Sequence, residues 1–181
     1  MRIAGIKLTK LAAAKGVTVA QLAQAVERDG LKGERAASAV RNWMIGRDHP
    51  RCRHEDIKKL ADTLQADVAK IAKFTAVLMH HRGSPRKAKL LTDLIKGKDI
   101  LVAENLLAFN TKRAAVNVRK ALKAAINDAE QVNADTMSLV VTESRVDDGP
   151  RLKRFKEKDR GRAHRILKRL AHITIALEDK N

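Results

Sequence analysis

Half of the twenty residues from Arg151 to Leu170 are Lys or Arg, against two carboxylates, Glu157 and Asp159. No chain can bury such a stretch in an apolar core, because unpaired buried charge is too costly. The stretch is framed by turn signals, "DDGP" at 147–150 and "RGRA" at 160–163, and runs into "HITIAL", where Ile173, Ile175 and Leu177 fall on one strand face. The pattern predicts a long antiparallel β-hairpin over about 147–170, with its tip near Lys156 to Asp159 and arms of about ten residues reaching roughly 30 Å. A helix competes, since Ile166, Leu167, Leu170, Ala171 and Thr174 also fit a 3.6 period. The β-branched "ITI" and the glycine signals favour strands. So polar a hairpin cannot offset its own ordering entropy and becomes rigid when embedded in a polyanion. With about six to ten phosphate contacts, affinity falls roughly a thousandfold or more between low and moderate salt.

The rest of the chain reinforces that partner class. The formal net charge is +17, and a third of the residues are charged. Both halves contribute: residues 1–73 hold fifteen Lys and Arg against eight acids, and 74–181 hold twenty-three against thirteen. The aromatics are Trp43, Phe74, Phe109 and Phe155, too few for a broad base-stacking platform, so backbone and shape recognition is expected.

Nothing points to catalysis. His80 and His81 are adjacent, His49 and His54 flank a loop, and no His/Glu or Cys/His spacing forms a metal site. Asp147 and Asp148 sit beside a turn, where capping or solvation accounts for them. The lone Cys52 excludes an intramolecular disulfide, fits a reducing compartment, and reads as a small packed side chain. No enzyme activity, metal or cofactor is expected, and no run approaches the ~18 apolar residues of a membrane span. The first 26 residues lack acids, as transit peptides do, but they fit a folded motif better.

The fold class expected is α+β: an all-α bundle over 1–73, then, over 74–181, helices packed on a small antiparallel sheet with the protruding hairpin. In the first half, "IKLTKLAAAKG" places Ile6, Leu8, Leu11 and Ala12 on one helical face and stops at Gly16. Thr18 caps a second helix carrying Val19, Leu22, Ala23 and Val26. After the loop "ERDGLKG", a third helix carries Ala36, Ala39, Val40 and Trp43, and "HEDIKKLADTLQ" and "DVAKIAKF" supply two more. In the second half, "FTAVLMHHRG" reads as a strand. Ser84 caps a helix with Pro85 at its first position and Gly97 at its stop. Asp99 caps "DILVAENLLAF". Some twenty helical residues follow, with Ala115, Val118, Leu122, Ala125 and Ile126 as the stripe and Asn133 and Asp135 at the end; "MSLVVTESRV" is a strand.

Residues 5–73, through "LAQAV", "AVRNW", "GRDHP" and "LADTLQADVAKI", resemble the lambda-repressor-like helix-turn-helix family. That resemblance implies a third helix entering a DNA groove, with Glu34, Arg35, Ser38, Arg41 and Asn42 as the exposed candidates. The family pattern is shorter between the two helices, so "ERDGLKG" is an insertion that changes their angle. A five-helix adaptor or RNA-facing appendage is the other reading of this half.

Residues 74–180 resemble the large-subunit ribosomal protein L-twenty-two family, through "SPRKAKLLTDLIKGK", "ALKAAINDAE", "VDDGPRLKRFKEKDRGRAHRILKR" and "HITI". The resemblance implies binding to large-subunit rRNA and a hairpin that helps line the nascent-peptide exit tunnel. It implies contact with neighbouring ribosomal proteins and the nascent polypeptide, and a cytoplasmic place in the large ribosomal subunit. By matching positions, the rRNA-facing residues are Ser84, Arg86, Lys87, Lys153, Arg154, Arg160, Gly161, Arg162, Arg165, Lys168, Arg169 and His172. The tip and tunnel residues are Phe155, Lys156, Glu157, Lys158 and Asp159. Where the family commonly carries proline and basic residues, this chain has Glu157, Lys158 and Asp159, and the two carboxylates are unfavourable against phosphate. The competing function is a helix-turn-helix DNA-binding regulator with a basic C-terminal domain, a reading that leaves the hairpin without a role.

Overall fold

Two units divide the chain in the computed structural model, which describes residues 1–180. The first comprises Met1–Phe74, Asp128–Ser138 and residues 178–180; the second comprises Thr75–Asn127 and Leu139–Leu177.

The first unit holds β1 (Arg2–Ile3), α1 (Gly5–Ala14), α2 (Val19–Ala25), α3 (Glu34–Met44), α4 (His54–Thr63) and the single turn α5 (Val68–Ile71). Gly5 sets the rotation of α1. A Cβ there would meet the Trp43 carbonyl and lie 2.8 Å from Met44 O and 2.9 Å from Gly46 N, so only glycine lets α1 approach the end of α3. Leu8 and Ala12 are buried as a result. Ile6 is 73% exposed, against the expected face, because two residues along a helix turn it about 200° away from Leu8. Thr18 caps α2 as expected, in a reciprocal box with Gln21. Ala36, Ala39, Val40 and Trp43 are fully buried, and Ile57, Leu60 and Leu64 close the same core.

The "ERDGLKG" loop is built in rather than loose. Arg28 and Leu31 exchange backbone hydrogen bonds of 3.1 and 2.9 Å across a tight turn, and Leu31 is buried. Arg28 reaches the buried Asp56 at 3.0 Å and donates to Arg51 O at 3.2 Å. Asp56 also accepts the Arg53 N–H at 2.8 Å at the start of α4, so one carboxylate ties the loop to two elements. The helix expected over "DVAKIAKF" ends at Ile71. There the backbone turns extended, with Ala72 and Phe74 buried and Lys73 between them partly exposed: the alternation of a strand. The start of this strand, β2 (Ala72–Arg82), pairs with β1 in the register Arg2↔Lys73 and Ile3↔Ala72.

The second unit continues β2 and adds α6 (Pro85–Ile95), α7 (Ile100–Ala108), α8 (Arg113–Glu130), β3 (Leu139–Asp148), β4 (Leu152–Glu157), β5 (Ala163–Lys168) and β6 (Leu170–Asp179). Small antiparallel sheets and packed helices give the expected α+β class. The main sheet runs β2-β6-β3, with α6 and α7 both packed on β3. Its central strand β6 is buried on nearly every residue, not on the Ile173, Ile175 and Leu177 face alone: residues of both alternations are shielded, and its two edges pair with β2 and β3. Ser84 and Pro85 open α6 as expected, and Ala115, Val118, Leu122, Ala125 and Ile126 are the buried stripe of α8.

β4 and β5 form the hairpin, in the register Leu152↔Lys168 through Glu157↔Ala163. Six paired residues per strand replace the expected ten, giving arms of about 20 Å. The tip also shifts. Phe155, Lys156 and Glu157 lie within β4, and the turn is 158–162, closed by Lys158 N–H to Arg162 O at 2.8 Å. The cause is local: Arg160 and Gly161 take the left-handed conformation, at φ 57° and 69°, and this sets where the strands reverse.

Candidate nucleic-acid interface

Every residue from Lys153 to Arg169 is exposed, including Phe155 at 75%. The register distributes cations over both faces. Arg154, Lys156 and Lys168 share one face with His164 and Ile166; Lys153 and Arg165 share the other with Phe155 and Leu167. Arg160 and Arg162 stand at the turn. Among the described residues, none of the ten Lys and Arg from 151 to 169 is paired with a carboxylate. Arg145 on β3, by contrast, is flanked by Glu143 at 3.3 Å and Asp147 at 3.4 Å. The hairpin therefore carries uncompensated positive charge and has no core of its own.

At the foot of the hairpin this charge converges. A cleft of about 690 Å³ is lined by Arg82, Gly83, Ser84, Arg113, Leu152, Arg154, Leu167, Lys168, Arg169 and Leu170. A second, of about 600 Å³, shares Arg82, Gly83, Ser84 and Arg113 and adds His81, Lys87, Leu90, Lys112 and Ala114. Neither contains a carboxylate. The N-terminal end of the eleven-residue α6 opens into both through Gly83 and Ser84, adding the positive end of its dipole.

β2 is shaped to deliver Arg82. Its burial follows even positions as far as Leu78, then His80 takes φ 57° and the alternation flips, so that His81 is buried and Arg82 exposed. His80 donates its backbone N–H to His172 Nδ1 at 3.2 Å, and the two rings meet edge to face at 4.9 Å. The Asn117 amide donates to His81 Nδ1 at 2.6 Å, which leaves the ring proton on Nε2. Burial, and secondarily the Arg113 charge, lowers the His81 pKa, keeping this imidazole neutral beneath the cations.

Of the residues expected to face RNA, the structure brings Ser84, Arg154, Lys168 and Arg169 into the first cleft and Lys87 into the second. Arg86 is exposed on the first turn of α6; Lys153 and Arg165 lie on the second hairpin face, and Arg160, Gly161 and Arg162 in the turn. His172 is instead engaged with β2. Sequence reasoning missed Arg82 and Arg113. They end β2 and begin α8 some thirty positions apart, and no local periodicity signals their meeting.

In the first unit, Glu34, Arg35, Ser38 and Arg41 lie exposed on α3, while Asn42 spends its amide on His49 O at 2.9 Å. Cys52 is buried, and burial together with Asp56 and Asp48 pushes its thiol up to about 12. Among the described residues, no cluster of three or more metal-ligating side chains occurs, and no helix is long and apolar enough to cross a membrane.

Clefts rich in arginine and free of carboxylates, a helix N-terminus and a coreless cationic hairpin define a polyanion-binding surface of the kind that reads nucleic-acid backbone. Residues 76–178 match the family of Ribosomal protein L22p/L17e, and the chain belongs to that family. It is similar to the "Large ribosomal subunit protein uL22" of Magnetococcus marinus, 48% identical over 103 residues, which cover 56% of this chain and 91% of the relative. It is also similar to the protein of the same name from Desulfosudis oleivorans, 44% identical over 106 residues, 59% of this chain and 93% of the relative. Membership makes it a structural protein rather than an enzyme. Residues 1–75 lie outside the matched family segment.

Proposed function

We propose that this chain is a cytoplasmic constituent of the large ribosomal subunit that binds large-subunit rRNA through the two cation clefts and the hairpin. The observation that carries the reading is the hairpin itself: from Arg151 to Arg169, ten cations with no paired carboxylate among the described residues, five on the two strands and the rest in the turn and flanks, all exposed. Such an arm gains order by neutralising phosphates on every side. Its reach, with the relatives' name, supports the finer reading that the arm lines the nascent-peptide exit tunnel and contacts the nascent polypeptide and neighbouring ribosomal proteins. Glu157 stands opposite Ala163 next to the turn and Asp159 lies within it, so the outer end is the least cationic part of the arm and the part suited to face water rather than phosphate.

The helical domain over 1–73 is an appendage to that binding domain over 74–181. A DNA-regulator reading receives less support, since α3 offers Arg35 and Arg41 beside Glu34 and its Asn42 amide is already engaged. The test is sedimentation of the tagged full-length chain through a high-salt sucrose gradient. Stoichiometric co-migration with the large subunit is expected, lost on deletion of the hairpin. Recovery at the top of the gradient, with intact sequence-specific DNA binding, overturns the reading.

A further inference from the structure

Two of the chain's four aromatics, Trp43 and Phe74, are fully buried, whereas Phe109 at the C-terminal end of α7 is 87% exposed. It does not stand alone. Phe109, Leu94, Val102 and Leu106 wall a groove of about 380 Å³ whose remaining lining is Asn105 and Asn110. Asn110 uses Oδ1 to accept the Lys112 N–H at 3.0 Å, leaving Nδ2 as its donor.

The groove and the second cation cleft draw on neighbouring stretches of chain in two places. Leu90 lines the second cleft, and Leu94, about one turn further along α6, lines the groove. Asn110 lines the groove, and Lys112 and Arg113, which follow it closely, line the second cleft. No carboxylate lines either. An aromatic and aliphatic wall, amides at its rim and cations within a few residues match the three parts of one unpaired nucleotide. The base stacks, its edge accepts or donates hydrogen bonds, and its phosphate is neutralised. A protein partner fits less well, because a stable interface asks for about 800 Å² from each side and a pocket that continues apolar, not one that runs into arginine and lysine.

We propose that this groove is a stacking site for a single unpaired base of the bound RNA, with Phe109 as the platform and Lys112 and Arg113 holding the adjoining phosphate. The proposal rests on the rRNA reading and adds to backbone neutralisation one interaction that only an unstacked nucleotide can make. A duplex cannot supply that base, so the partner segment is a bulge, loop or single strand.

The experiment measures affinity of the full-length chain for a large-subunit rRNA transcript at fixed salt. Phe109→Ala is expected to weaken binding roughly 5- to 150-fold, the range set by removing a base–aromatic stack. Phe109→Leu should be nearly as weak, and Phe109→Trp should bind like the parent, with its indole emission quenched by RNA. Trp43, fully buried in the first unit, supplies a constant background. Because residue 109 is exposed, each variant should melt like the parent. Parental affinity in Phe109→Leu overturns stacking in favour of plain apolar packing. Parental affinity in Phe109→Ala overturns the site altogether, and loss of subunit incorporation alone would then point to a protein partner. Failure of the parent itself to bind the transcript overturns the underlying rRNA reading and the stacking site with it, a result distinct from the other two.

Discussion

Gly83 has room for a hydrogen and little else. A Cβ there would sit 2.5 Å from His81 Nε2, and that ring is held by Asn117 and buried, so it cannot simply swing aside. Gly83→Ala is expected to cost about 1–3 kcal/mol, as overpacking does, read as a lower urea midpoint. Combining it with His81→Ala should recover part of the loss, since the two residues press on each other directly. His81 also makes stability depend on pH. Its folded pKa lies below the ordinary 6.5, so the unfolded chain takes up the proton first. Its contribution is therefore complete above about pH 6.5 and is lost as pH falls through the lowered folded value. Urea midpoints measured from pH 7.5 to 5 should fall on acidification, and His81→Gln should remove that component. Cys52 gives a probe of the first unit. With its thiol pushed up to about 12 and its side chain buried, it should resist alkylation at neutral pH and react fully in denaturant.

At the level of elements, the hairpin's charge should appear as salt dependence. Arg154→Gln, Lys168→Gln and Arg169→Gln together remove three cations from one cleft. Every phosphate left without its cation lowers the slope of log K against log salt by about 0.7–0.9, so the triple variant should flatten it by about 2 to 3. Lys58→Gln with Lys59→Gln, exposed on α4, should leave it unchanged. The same elements mark what the sequence disclosed. Ser84, Pro85 and the alanine-rich stripe of α8 were legible because capping and 3.6 periodicity are written within a dozen residues. The strand assignment of the cationic stretch was legible from its β-branched end. Its turn was legible only in part: Gly161 in "RGRA" marked a break, but the tip was expected near Lys156 to Asp159, because nothing in an arginine signals the left-handed conformation that Arg160 adopts beside it. The meeting of Arg82 with Arg113 was equally hidden. It depends on the flip at His80 and on packing between elements, neither of which leaves a local trace.

For the whole molecule, the decisive fact is that the chain enters the first unit three times. Residues 128–138 at the end of α8 and 178–180 at the end of β6 belong with Met1–Phe74. Within that unit the terminal amine of Met1 lies 3.9 Å from Asp128, Lys73 Nζ lies 3.4 Å from Glu178, and Lys7 Nζ donates to the Asp179 carbonyl. A truncation at residue 73 would strip these partners and confuse loss of the appendage with damage to what remains. Trp43→Ala is the cleaner probe. Trp43 is fully buried and its indole N–H donates to Pro50 O at 2.6 Å, so the change should cost about 3–5 kcal/mol. Its expected signature is early loss of Cys52 protection on warming. If the appendage reading is right, the variant at a permissive temperature still sediments with the large subunit at parental stoichiometry, because the cation clefts and hairpin all lie in the second unit. Sedimentation at the top of the gradient, with rRNA affinity intact, would instead make the first unit a requirement for assembly.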